Sequence, residues 1–183
     1  MPRYVTKAEL SRIRNGLLTE DRQRLVKAAQ DRSPSGSTFL SYSSHDHELL
    51  PAVVKVLQDH GALVYVDRLD SSLPAITSRE TAALLRSRIQ LCRRLVMFAT
   101  EASKDSRWVP WELGLSDAFK GASGTAVLPS VEATYETSWT EREYLGLYDR
   151  IVFGVFQGEQ EERWMVWNQD RGTAMPLRTW LAG

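Results

Sequence analysis

The stretch Ser106-Arg107-Trp108-Val109-Pro110-Trp111-Glu112-Leu113-Gly114 gathers two tryptophans, a proline and a single acid. A carboxylate beside aromatic rings can stabilise an oxocarbenium-like centre, hold sugar hydroxyls or attack an anomeric carbon. All three point to breaking a glycosidic bond. The competing reading is structural: Glu112 pairs with an arginine such as Arg86 or Arg93, and Trp108 and Trp111 anchor a core. The residues alone weigh the two about equally. Other chemistries find less support. There is no Gly-x-Gly-x-x-Gly and no Gly-x-x-x-x-Gly-Lys, so a dinucleotide fingerprint and a P-loop are both missing. His45-Asp46-His47 puts its histidines two apart, off any shared helix face, and reads as a solvated helix start instead of a metal site. Cys92 has only His60 as a remote partner and reads as a buried structural thiol.

These residues must be positioned by regular elements. Pro110 fits only near a helix start, where its missing N–H costs nothing, so a helix is expected to begin within a few residues of Ser106 and to run to Gly121. Trp108 and Glu112 then stand four apart on one face, near the positive end of the helix dipole. Upstream, strand-like and helical runs alternate. Thr38–Tyr42, Ala62–Val66, Leu95–Ala99, Ala126–Pro129 and Ile151–Phe153 read as strands, and a helix from Ser43-Ser44 to Gly61 and another opened by Thr77-Ser78-Arg79-Glu80 separate the first three. Such alternation predicts an α/β, doubly wound, parallel five-stranded sheet with helices on both faces. In that architecture ligands sit beyond the carboxyl ends of the strands, where the strand order reverses. The segments ending there are Ser41-Tyr42-Ser43, Asp67-Arg68-Leu69, and the run from Thr100 to Trp108.

Composition bounds the rest. A chain of 183 residues with 43% hydrophobic and 25% charged residues suits one folded domain. Lysine plus arginine equal aspartate plus glutamate at 23 each, so bulk charge gives no reason to expect nucleic acid or an anionic membrane as partner. One cysteine, no membrane-length apolar run and no apolar core at the N-terminus together lead us to expect a cytoplasmic protein. Residues 1–36 read as a separate helical extension and linker, with a Thr6-x-x-Glu9 capping box, a second helix near Thr19 and the turn-rich Ser33-Pro34-Ser35-Gly36 as boundary. Its excess of bases is expected to be a solvated face. Residues 37–183 form the main domain, with an extension after about 156 that holds an extra strand, Trp164–Trp167, and a short helix from Leu177 to Leu181.

Over roughly residues 38 to 155 the sequence resembles the Toll/interleukin-1 receptor (TIR) domain. Phe39-Leu40-Ser41-Tyr42-Ser43-Ser44-His45-Asp46 looks like that family's first-strand box, and Val64-Tyr65-Val66-Asp67 like its second strand. Ile89–Cys92 and Leu95–Thr100 then lead into the tryptophan-rich stretch. The ordered set is most similar to bacterial stand-alone TIR proteins, including those of Thoeris anti-phage systems. The resemblance implies a flavodoxin-like fold and cleavage of the nicotinamide–ribose bond of NAD, as substrate, with no further cofactor and no metal. It puts the family's catalytic glutamate on Glu112 and its motif tryptophan on Trp108, and assigns Ser41, Tyr42, Asp67, Arg68, Leu69 and Ser106 to the NAD site. Glu112 is then expected to act as a carboxylate held ionised by the helix N-terminus, with Trp111 left to packing. Expected partners are NAD, other TIR domains including further copies of the chain, and a separate effector that senses the product. Two other classes remain open: a non-catalytic TIR scaffold, and a nucleoside deoxyribosyltransferase-like enzyme with Glu112 as nucleophile.

Overall fold

The computed structural model describes residues 2–67, 78–101, 103, 108–133 and 145–183; the side chains of Trp108, Val109 and Leu145 fall outside that description. Arg68, Leu69 and Ser106 likewise lie outside the described residues. Along the chain run β1 (Val5–Thr6), α1 (Lys7–Asn15), α2 (Thr19–Gln30), β2 (Thr38–Ser41), α3 (Leu50–Asp59), β3 (Val64–Tyr65), α4 (Arg79–Leu91), β4 (Arg94–Ala99), α5 (Trp108–Lys120), β5 (Thr125–Val131), β6 (Asp149–Val155), β7 (Glu162–Asn168), β8 (Thr173–Pro176) and α6 (Leu177–Ala182).

Among the described residues the sheet has eight strands, in the order β3-β2-β4-β5-β6-β7-β8 with β1 against β5. Its centre is the expected parallel set of β2 to β6. The order reverses between β2 and β4, where Phe39 lies beside Leu95 and Ser41 beside Met97. Three strands add to the five of the parallel set, and one of them, β7, is the extra tail strand expected at Trp164–Trp167. Two come from the tail, where Trp164 and Val166 of β7 face one core layer, Met165 and Trp167 the other, and the strand pairs antiparallel with β6, followed by β8 on β7.

Side-chain alternation along the strands sorts the core into two layers. Leu40, Val96, Phe98, Ala126 and Leu128 face α1, α2, α3 and α6, whose Leu10, Ala29, Leu50, Val53 and Leu177 join the same cluster. Phe39, Met97, Ala99 and Val127 face α4 and α5 through Leu85, Ile89 and Leu113. Helices therefore cover both faces. On α4 the core positions are Leu85, Ile89 and the following Cys92, four and three apart; Leu84 and Leu91 point outward. Its cap is Ser78, whose hydroxyl accepts from the Thr81 amide, and not the neighbouring threonine.

The third added strand corrects the reading of residues 1–36 as a separate lead-in. β5 and β6 pair only at Ala126–Asp149 and Val127–Arg150, and then diverge. β1 fills the gap: Val5 pairs with Ser130, while Arg3 bridges to Phe153 of β6. The buried Arg150 guanidinium donates to the Tyr4 hydroxyl. Gly154 allows this approach, since a Cβ there would stand 3.1 Å from Pro2 Cα. The Thr6–Glu9 capping box forms as anticipated and starts α1 at once, turning Leu10 into the core at 0% exposure. A row of partnerless β5 and β6 edge groups would cost more than ordering this short strand.

Candidate active site

The helix carrying Glu112 starts at Trp108 and contains Pro110 in its first turn, where backbone amides have no helical acceptor and a missing N–H is harmless. Glu112 is one turn further on. Its side chain is fully buried, at 0% exposure, on the α4–α5 side of the sheet. Ser41, the last residue of β2, projects onto the same side and donates its hydroxyl hydrogen to Glu112 Oε2 at 2.5 Å. Among the described residues the other oxygen, Oε1, has no hydrogen-bond partner. The structural ion pair is not made: Arg93 donates instead to the Leu181 and Ala182 carbonyls that end α6, and Arg86 is exposed.

Burial pushes the Glu112 carboxyl up to about 7, against the Ser41 hydrogen bond and with a smaller push from the negative charge of Asp67. This differs from the expectation of a carboxylate held ionised by the helix terminus. Glu112 lies beyond the first turn, where the dipole acts most strongly, and loss of water outweighs it.

Asp67, just past β3, is also fully buried. Both its oxygens accept from Arg88 Nη1 of α4, at 2.6 and 2.5 Å, and Oδ2 accepts from the Tyr65 hydroxyl at 3.0 Å. This ion pair fastens the end of β3 to α4, so Asp67 bears on the site as a wall and a nearby charge. Tyr42 follows Ser41 yet joins the opposite core layer with Leu49 and Leu50, its ring 6.5 Å from that of His47. The structure thus brings Ser41 onto Glu112 and turns Tyr42 to the other face. Trp111 packs against the α4–α5 layer, as expected. Trp108 opens the helix; its side chain lies outside the description.

Two residues escaped the sequence reading. Arg88 had a legible signal, a base on the inward side of α4. Asp46, by its residue pattern part of a solvated helix start, is in fact only 5% exposed. Ser43 caps a 3-10 turn over Ser44–Leu49, which points Asp46 inward between the exposed His45 and His47. Its oxygens accept from the hydroxyls of Thr100 and Ser103 beyond β4. Cys92 is buried, and desolvation pushes its thiol up to about 12, which leaves it inert. Among the described residues no group of three His, Cys, Asp or Glu stands where it could hold a metal ion. Among the same residues no helix is long and apolar enough to cross a membrane.

This buried carboxyl, with one oxygen held and no described partner on the other, stands at the carboxyl edge of a doubly wound sheet near the strand-order reversal, where folds of this class bind ligands. The sequence pattern of the TIR domain matches residues 38–163, more than half of the chain. The chain belongs to the TIR domain family. A relative from Bacillus cereus (strain MSX-D12), named "Probable 3' cyclic ADP-D-ribose synthase ThsB'", is 35% identical over 157 residues, covering 82% of this chain and 78% of that protein. That alignment is longer than the domain match and takes in sequence outside it. Within this TIR domain, Ser41 and Glu112 meet across the β2–α5 junction, while Asp67 and Arg88 close the neighbouring β3–α4 junction.

Proposed function

We propose that this TIR protein is an enzyme that consumes NAD by cleaving its nicotinamide–ribose bond. The observation that carries the reading is the Glu112 carboxyl, buried and held on one oxygen by Ser41, with no partner for the other oxygen among the described residues. The C1'–N bond breaks, its electron pair leaves with the nicotinamide nitrogen, and the pyridinium becomes neutral nicotinamide. Positive charge then develops at C1' of the ribose. Glu112 as carboxylate stabilises that charge in a dry site, where a fixed anion acts far more strongly than in water. The cationic nicotinamide ring of bound NAD itself favours the ionised form. Water attacking C1' and losing a proton gives ADP-ribose; a hydroxyl of the same molecule doing so gives a cyclic ADP-ribose. The name of the Bacillus cereus relative supports the cyclic outcome. In this reading the product is a diffusible signal for a separate effector protein in anti-phage defence, and the enzyme works in the cytoplasm without a further cofactor. In this reading Ser41 and Asp67 belong to the NAD site, and Arg68, Leu69, Ser106 and Trp108 are its further candidates from the family resemblance, whereas Tyr42, turned to the other face, is not.

The test is incubation of purified protein with NAD at low and high protein concentration, with products resolved by mass. Nicotinamide release by the wild type, falling by at least about 100-fold in Glu112→Gln, is the expected result. Undiminished turnover in Glu112→Gln overturns the assignment. No nicotinamide under any condition leaves a TIR scaffold as the better account.

A further inference from the structure

Glu112 and Ser41 are joined by one hydrogen bond between two segments that are distant in sequence, the end of β2 and the second turn of α5. One such bond does not fix a helix. A second contact, on the opposite side of the sheet, joins the turn after β2 to the turn after β4, upstream of α5. Five residues after Ser41, Asp46 is buried in the 3-10 turn that follows β2. Thr100, just past β4, donates its hydroxyl to Asp46 Oδ1 and Oδ2 at 2.8 and 2.9 Å, and Ser103 donates to Oδ2 at 3.2 Å. Ser103 is itself tied to Thr100, accepting from the Thr100 amide at 2.9 Å and donating its own amide to the Thr100 carbonyl at 3.1 Å. Strand alternation assigns Thr100 to the side of Val96 and Phe98, and Ser41 to the side of Phe39. The end of β2 is therefore tied on both faces: through Asp46 to the turn after β4, and through Ser41 to Glu112 of α5.

We propose that Asp46 is a positioning residue for the reaction: by anchoring the Thr100–Ser103 turn to the segment after Ser41, it fixes where α5 starts and so where the Glu112 carboxylate stands. The inference rests on the NAD-cleaving reading above. Its physical basis is that stabilising a developing cation depends steeply on the placement of the anion, and a displacement of about 1 Å can cost two orders of magnitude in rate. An acid suits the post better than an amide, because every described partner is a hydroxyl donor and a carboxylate only accepts.

Wild type, Glu112→Gln, Asp46→Ala, Asp46→Asn and Ser103→Ala are to be assayed for nicotinamide release, each with its folded fraction measured by circular dichroism at the assay temperature. For Asp46→Ala, kcat per folded molecule falls about 10- to 100-fold while KM for NAD changes less than about threefold. Asp46→Asn, which keeps one acceptor for Thr100, recovers part of the loss, and Ser103→Ala falls between it and wild type. Full kcat in folded Asp46→Ala overturns the proposal, and so does a loss of rate matched by a loss of folded protein. A wild type without turnover sinks the NAD reading itself. The positioning claim is then decided by carboxyl NMR of ligand-free protein: Glu112 in Asp46→Ala titrates closer to an ordinary carboxylate as water reaches it, and an unchanged titration overturns the claim.

Discussion

At Glu112 two demands conflict. Catalysis at a developing cation calls for an ionised carboxylate, and burial favours the neutral acid. With a folded-state value of about 7 against the ordinary 4.5, the folded protein holds this proton across a range in which the unfolded chain has released it. The resulting stability is fully present below about pH 4.5 and is lost as pH rises through about 7, a swing of about 3 kcal/mol for this one group. Glutamine at the same place keeps the Ser41 hydrogen bond through its carbonyl and carries no proton to lose. Glu112→Gln is therefore expected to be more stable than wild type by about 1–3 kcal/mol near pH 8, the gain fading towards pH 5, as read from urea unfolding at the two pH values. Equal stability differences at both would show that the carboxyl titrates normally. Under the proposed function Glu112 is thus a local cost to the fold, set against the reaction that would need it.

Among the elements, α1 decides how the N-terminal segment is understood. Leu10 is fully buried and contacts the same core layer as Leu40 and Phe98. Leu10→Ala is expected to cost about 2–4 kcal/mol and to lower the melting temperature accordingly; an unchanged melting curve would restore a detachable lead-in. The capping box, the two short helices and the turn at Ser33–Gly36 were all readable from residue types. Their docking was not, because β1 is two residues long and its partners Ser130 and Val131 lie far away in sequence. The same limit applies to the site. Periodicity and the Pro110 rule located α5 and gave the face of Glu112, and strand order put it beside Ser41. Asp46 was hidden because an acid next to Ser43-Ser44 satisfies the helix-start pattern equally well whether it faces water or a neighbouring loop. Only the Thr100–Ser103 turn distinguishes these, and no local pattern announces it. For Glu112, likewise, the sequence shows a helix dipole but not the depth of burial that opposes it.

For the whole molecule, the single thiol is a built-in reporter. Cys92 is 3% exposed between α4 and β4, inside the layer shared by Phe39, Leu95 and Val127. With burial holding its proton, no local fraying exposes a thiolate, and reaction requires that this layer open. Alkylation by iodoacetamide, followed by mass spectrometry, is expected to proceed at the rate of global opening and to slow when denaturant is withdrawn. Rapid labelling of native protein would mean that α4 opens separately from the sheet. With acids and bases balanced the chain carries no net charge to draw in an anion, so under the NAD-cleaving reading attraction of the nucleotide's diphosphate has to come from local charges at the site. The wedge of β1 between β5 and β6 has one more effect, on the order of folding. A chain emerging from the ribosome presents Val5 about 125 residues before Ser130 exists to pair with it. Throughout that interval β1 is an unpaired strand, and α1 lacks the finished sheet on which it rests. A strand made long before its partners is therefore among the last to find its place, and its arrival closes the gap between β5 and β6.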